Sequence, residues 1–103
     1  MKVTEFAEFQ IVAGKEAEFE AAASKAVAIF AAAEGCVSMR VDRVVEQPSA
    51  YRLIVGWETI AHHNEGFRNS PGFQEWRGLV AHFFAAPPKV DHGSTVVDGF
   101  AKG

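Results

Sequence analysis

Polar and apolar residues alternate, imperfectly, from Val3 to Val12, with Ala7, Phe9 and Ile11 on one face and Phe6 and Val12 on the other. This pattern predicts a first strand that ends at Gly14, with apolar groups on both faces. The period then changes. Phe19, Ala23, Ala26, Phe30 and Ala33 recur at steps of four and three, so Lys15 to Ala33 reads as an alanine-rich helix with one apolar stripe. Glu16 and Glu18 favour its N-terminal end and Gly35 supplies its stop. Val37, Met39, Val41 and Arg43 then alternate with Ser38, Arg40, Asp42 and Val44 as a half-buried strand, and Gln47-Pro48-Ser49 marks a turn. A third strand follows, with Tyr51, Leu53, Val55 and Trp57 on its inner face and Arg52, Ile54 and Gly56 on its outer face.

Thr59 is placed to cap a short helix running to about Asn69. Ser70-Pro71 opens another, with Ser as the cap and Pro where its missing N–H costs nothing. Phe73, Trp76, Val80 and Phe83 share one face of this second helix, expected to reach about Phe84 before Pro87-Pro88. Lys89 to Val97 reads as a last strand. The expected unit is 1–97, with 98–103 as a tail. The order β-α-β-β-α-β, its second helix broken, predicts an α+β, ferredoxin-like fold. Helices would cover one face of the sheet. Phe6, Val12 and Ile54 on the other face suggest a homodimer closing sheet upon sheet, a dimeric α/β barrel.

The chain has 103 residues, 49% of them hydrophobic and 22% charged, which suits one small folded domain. A net charge of −3 argues against a nucleic-acid partner. No apolar run approaches the length of a membrane span, and Glu5, Glu8 and Gln10 interrupt any secretory leader, so a cytoplasmic location is expected. Cys36 is alone and forms no internal disulfide.

Trp57-Glu58, Phe67-Arg68, Ser70-Pro71, Phe73, Trp76-Arg77, Pro87-Pro88, Val90 and His92 form a pattern that resembles the antibiotic biosynthesis monooxygenase family. Thr4-Glu5-Phe6 leading to Gly14-Lys15-Glu16 also fits. The resemblance covers nearly the whole chain. It implies a dimeric ferredoxin-like barrel with a pocket between each sheet and its helices. Better-understood members oxidise polycyclic phenols to quinones with O2 and neither metal nor flavin; others degrade haem, and many have no known activity. The monooxygenases rely on a pocket Asn, Trp or Tyr, and the haem-degrading branch on an Asn, a Trp and an iron-binding His. This chain departs from the haem-degrading pattern at all three residues. Its asparagines are Asn64 and Asn69, neither on the first strand, while Phe67 stands roughly at the Trp position and Arg77 at the iron-ligand position.

His92 is in phase with Val90, Ser94 and Val96, and His63 lies between Ile60 and Phe67 on a helical face. Either could accept a phenolic proton, since imidazole titrates near neutrality; the alternative is a structural role. Trp57, Phe67, Phe73, Trp76 and Phe83 are candidates to line a substrate pocket, with Phe73 and Phe83 also readable as ordinary core. The indole N–H of Trp57 and of Trp76 could meet a ligand oxygen. Arg77 could hold a phenolate or carboxylate if turned inward, or else extend to solvent. Tyr51 reads as rim, and His62 and His82 as solvated. The adjacent His62-His63 pair lacks the spacing of a metal site, so neither metal nor cofactor is expected. The reading is a cofactor-free monooxygenase acting on a planar phenol or quinol. The alternatives are a non-catalytic ligand-binding or stress-related module, and an isomerase or decarboxylase using histidine alone.

Overall fold

The structure is a computed structural model and describes residues 2–103. Four strands, β1 (Val3–Gln10), β2 (Cys36–Arg43), β3 (Ala50–Trp57) and β4 (Lys89–Gly93), pair antiparallel in the order β2-β3-β1-β4. Helices α1 (Glu16–Lys25), α2 (Val27–Ala32) and α3 (Pro71–Val80) pack on one face. The fold is ferredoxin-like, α+β, as the element order predicts.

The core follows the predicted stripes. Phe19, Ala23, Ala26 and Phe30 are buried against Ala7, Phe9 and Ile11 of the first strand region and Tyr51, Leu53, Val55 and Trp57 of β3. Tyr51, expected at the rim, is instead part of this core, 2% exposed, with its hydroxyl donating to Glu20. A neighbouring acceptor explains why the ring can be buried whole.

Several boundaries differ from the sequence reading. The first helix is interrupted at Ala26, whose N–H bonds to Ala23 three residues back and tightens one turn; the apolar stripe runs through the break. The first strand ends at Gln10, with a single further bridge between Ile11 and Phe84. A bulge at Val37 shifts the β2–β3 register and turns that side chain outward, 50% exposed. Gly56 permits it: a Cβ there would lie 2.5 Å from the Ser38 hydroxyl. The last strand stops at Gly93, paired with Thr4, so Ser94–Val97 is not strand. The final regular helix ends at Val80, followed by a 3-10 turn, Ala81–Phe83.

The segment between β3 and α3 decides where the site sits. Thr59 caps it as predicted, accepting from the His62 amide at 3.2 Å. The helix then widens into a π turn, His62–Gly66, and tightens into a 3-10 turn, Phe67–Asn69. His63 and Phe67, four residues apart, both point inward, where they are 3% and 5% exposed. Ser70 then caps α3 by accepting from the Phe73 amide.

Candidate active site

In an antiparallel sheet, residues paired directly across strands present side chains to the same face. Glu5 of β1 pairs with Val55 on one side and His92 on the other, so a carboxylate and an imidazole stand together on the helix-covered face. The next row is Ala7 with Leu53 and Val90. Ala7 is small, and the space above it is not filled by its own strand.

A cavity of about 230 Å³ occupies that space between sheet and helices. Glu5, Ala7, Leu53 and Val90 form its floor; Phe9, Phe73, Trp76 and Phe84 give it aromatic walls. His63 opens onto it, and Arg68 and Arg77 reach it from exposed positions. The rings support one another. Phe9 stacks on Phe84 with centroids 4.7 Å apart and Trp76 meets Phe30 edge-on at 5.2 Å, which fixes the walls in place.

The polar groups form a chain. Trp57 donates its indole N–H to Glu5 Oε1 at 3.0 Å, and His63 Nε2 lies 3.2 Å from the same oxygen. On the far side, His63 Nδ1 and His92 Nε2 are 2.7 Å apart. Between His63 Nδ1 and His92 Nε2 the tautomer decides which ring donates and which accepts. Trp57 stacks on the His63 ring at 5.3 Å and holds it in this orientation.

The environment disfavours charge on both ends of the central bond. Burial pushes the Glu5 carboxyl above its ordinary 4.5, against the opposing pull of the Trp57 N–H and the Arg68 guanidinium. Burial, with His92 and Arg68 nearby, holds His63 down to about 4. His92 is lowered as well, by burial and by Arg68, with Asp91 opposing. At neutral pH His63 is therefore an uncharged hydrogen-bond partner of His92, beside a carboxyl that burial makes harder to ionise.

The structure brings together His63, His92, Phe73, Trp76 and Arg77 in or directly behind this cavity. Trp57 is fully buried and does not line it; its indole serves Glu5 instead. Phe67 packs between Phe30 and Trp57 and faces a separate groove beside α2. Phe83 lies at the opposite end of the core, edge-on to Phe19. His62 is bonded to Thr59 rather than free in solvent. Two charged residues of the cavity, Glu5 and Arg68, were not among the site candidates read from sequence. Glu5 carried a signal, since it lies in phase with Ala7, Phe9 and Ile11 on the buried face of its strand. Arg68, exposed and next to a core Phe, carried none.

Among the described residues, no group of three or more His, Cys, Asp or Glu side chains is placed to hold a metal ion. No helix among them is long and apolar enough to cross a membrane.

Residues 2–79 match the sequence model of the antibiotic biosynthesis monooxygenase family. The uncharacterised protein YczJ of Bacillus subtilis is 38% identical over 90 residues, which cover 87% of this chain and 95% of that protein. A proposed antibiotic biosynthesis monooxygenase from Bordetella bronchiseptica has a solved structure that superposes with a TM-score of 0.91 at 42% identity, over 93% of this chain and 98% of that one. SnoaB, a cofactor-independent oxygenase from Streptomyces nogalater, superposes with a TM-score of 0.79 at 21% identity, over 94% and 95% of the two chains. At that identity the likeness to SnoaB is one of fold. The family match over most of the length, together with the Bordetella relative, places this chain in the antibiotic biosynthesis monooxygenase family.

Proposed function

We propose that the chain is a cofactor-independent monooxygenase that oxidises a planar phenol or quinol-type molecule with O2, working as a homodimer. One observation carries this reading. A buried carboxyl, Glu5, lies on the floor of an aromatic-walled cavity, its Oε1 accepting from Trp57 with His63 Nε2 3.2 Å away. That arrangement leaves Glu5 Oε2 for a ligand. Family membership and the name of the SnoaB fold relative supply the oxygen chemistry.

The reaction proceeds in four steps. Glu5 takes the phenolic proton on Oε2, while Trp57 and His63 steady its Oε1; His92 in turn steadies His63. We assign the base, His92 or His63 in the sequence reading, to Glu5, because its carboxyl lines the cavity floor while His63 Nδ1 is occupied by His92. The phenolate passes one electron to O2, and the resulting radical and superoxide combine at the carbon para to the oxygen. The proton held by Glu5 returns to the peroxide. Loss of water, with the ring hydrogen and the broken O–O bond, leaves a quinone. For 1-naphthol the balance is C10H8O plus O2 giving C10H6O2 plus H2O. The protein contributes desolvation, alignment between rings and proton transfer.

The dimer is supported by apolar groups without cover in one chain. Phe6 is 41% exposed on the outer sheet face beside Ile54, and Val96 and Phe100 in the segment after β4 are 90% and 86% exposed. Glu8 and Asp91 alternate there with Arg52 and Lys89, a charge pattern that suits self-association.

Oxygen-electrode measurements with 1-naphthol test the activity. We expect protein-dependent uptake matched one to one by naphthoquinone. Saturable binding of 1-naphthol with no uptake would favour the ligand-binding alternative.

A further inference from the structure

The cavity has a polarity gradient that the proton chemistry does not use. Its floor holds the buried Glu5 and His63, its walls are rings, and its rim holds two guanidinium groups, Arg68 and Arg77. Three cations elsewhere are paired, Arg43 with Glu20, Arg40 with Asp42 and Lys15 with Glu18, and others on open surface are not; Arg68 and Arg77 differ in lining one cavity together. Among the described residues, neither Arg68 nor Arg77 makes an ion pair or a side-chain hydrogen bond. Glu5 feels the charge of Arg68 but forms an ion pair with neither arginine. Two like charges on the wall of one small cavity repel each other and are stabilised when an anion enters. Guanidinium, with its planar fork of donors, is suited to carboxylate in particular. The size of the space limits the rest of the ligand. At about 230 Å³ it lies below the ~300–1,000 Å³ of ordinary small-molecule pockets, which suits one or two fused rings and not four.

We infer that Arg68 and Arg77 form an anion subsite at the mouth of the cavity, and that the ligand is a one- or two-ring aromatic carboxylate. Its rings lie between Phe73, Trp76 and Phe84, its acid group meets the arginines, and its hydroxyl points down toward Glu5. The inference deepens the proposed function and rests on it for the hydroxyl, but the subsite itself is read by binding alone.

Calorimetric titration with 2-naphthoate and its neutral analogue 2-naphthamide at low salt is the test. Charge-assisted bonds at exposed arginines are worth about 1–2 kcal/mol, so we expect naphthoate to bind roughly five- to thirtyfold more tightly. The R68M/R77M double variant should lose that preference while keeping its affinity for naphthamide. Both side chains are exposed, so the variant is expected to fold; its thermal midpoint verifies this. Equal affinities in the unsubstituted protein, or a preference that persists in the double variant, would overturn the subsite. The outcomes separate from those of oxygen uptake. Turnover of neutral 1-naphthol without carboxylate preference removes the subsite alone, whereas carboxylate preference without any turnover removes the monooxygenase and leaves the subsite.

Discussion

Glu5 costs stability and is kept buried. Its carboxyl is raised above the ordinary range, so the stability it contributes is full below pH 4.5 and is lost as pH rises through the folded value. His63 acts in the opposite sense. Held to about 4 against an ordinary 6.5, it contributes stability that is full above pH 6.5 and is lost as pH falls toward 4, a difference of roughly 3 kcal/mol at most. In the wild type the two partly cancel. Glu5→Gln removes the first and keeps acceptors for Trp57 and His63. We expect this variant to show a steeper rise in unfolding free energy between pH 4.5 and 6.5, and to equal or exceed the wild type at pH 8. Urea denaturation at four pH values checks this; a flatter profile in the variant would contradict it. The chain thus resembles other sites in which a group kept for chemistry is a liability for folding. Glu5 was legible in principle from its phase on β1. The meeting of His63 and His92 was not, because 29 residues separate them and only the register of β4 against β1 aligns His92 with Glu5.

The segment from Thr59 to Val80 does the positioning. The sequence showed both caps, Thr59 and Ser70, and the apolar face through Trp76 and Val80. It did not show the π turn at His62–Gly66, because a one-residue widening leaves no composition signal, and the turn was read as regular helix. The spacing of His63 and Phe67 on one face was legible, and both point inward. Ser70 bears most directly on α3: it accepts from the Phe73 amide and donates to the Phe67 carbonyl, joining the 3-10 turn to the helix that carries Trp76 and Arg77. Ser70→Ala should destabilise by about 1 kcal/mol, which lowers the thermal midpoint by roughly 4–8 °C in a chain of this size. Thermal unfolding followed by circular dichroism measures it. A shift under 1 °C would mean that packing of Trp76, and not the cap, anchors α3.

The same sheet serves two faces. Inward, Ala7, Leu53 and Val55 make the floor of the core and cavity; outward, Phe6 and Ile54 are opposite each other across β1 and β3 and remain partly open. The alternation along these strands made both faces legible, though not the burial of Tyr51 or Glu5. The end of β4 was not legible, since Val96 and Val97 continue a strand-like pattern past the point where β1 can pair. If the outer face is the contact between copies, Phe6→Glu should shift the protein from dimer to monomer at micromolar concentration in sedimentation velocity. An unsubstituted protein that sediments as a monomer would rule the dimer out.

The function turns on a proton moving from an aromatic hydroxyl to Glu5 inside the cavity. Oxygen uptake with 1-naphthol, recorded side by side for the wild type and for Glu5→Gln, measures this most directly. A positioned general base contributes on the order of 10²–10⁴ in rate, so we expect uptake in the variant to fall at least a hundredfold while its fold and its affinity for 1-naphthol persist. Uptake by the variant within a few-fold of the wild type would show that the proton goes elsewhere.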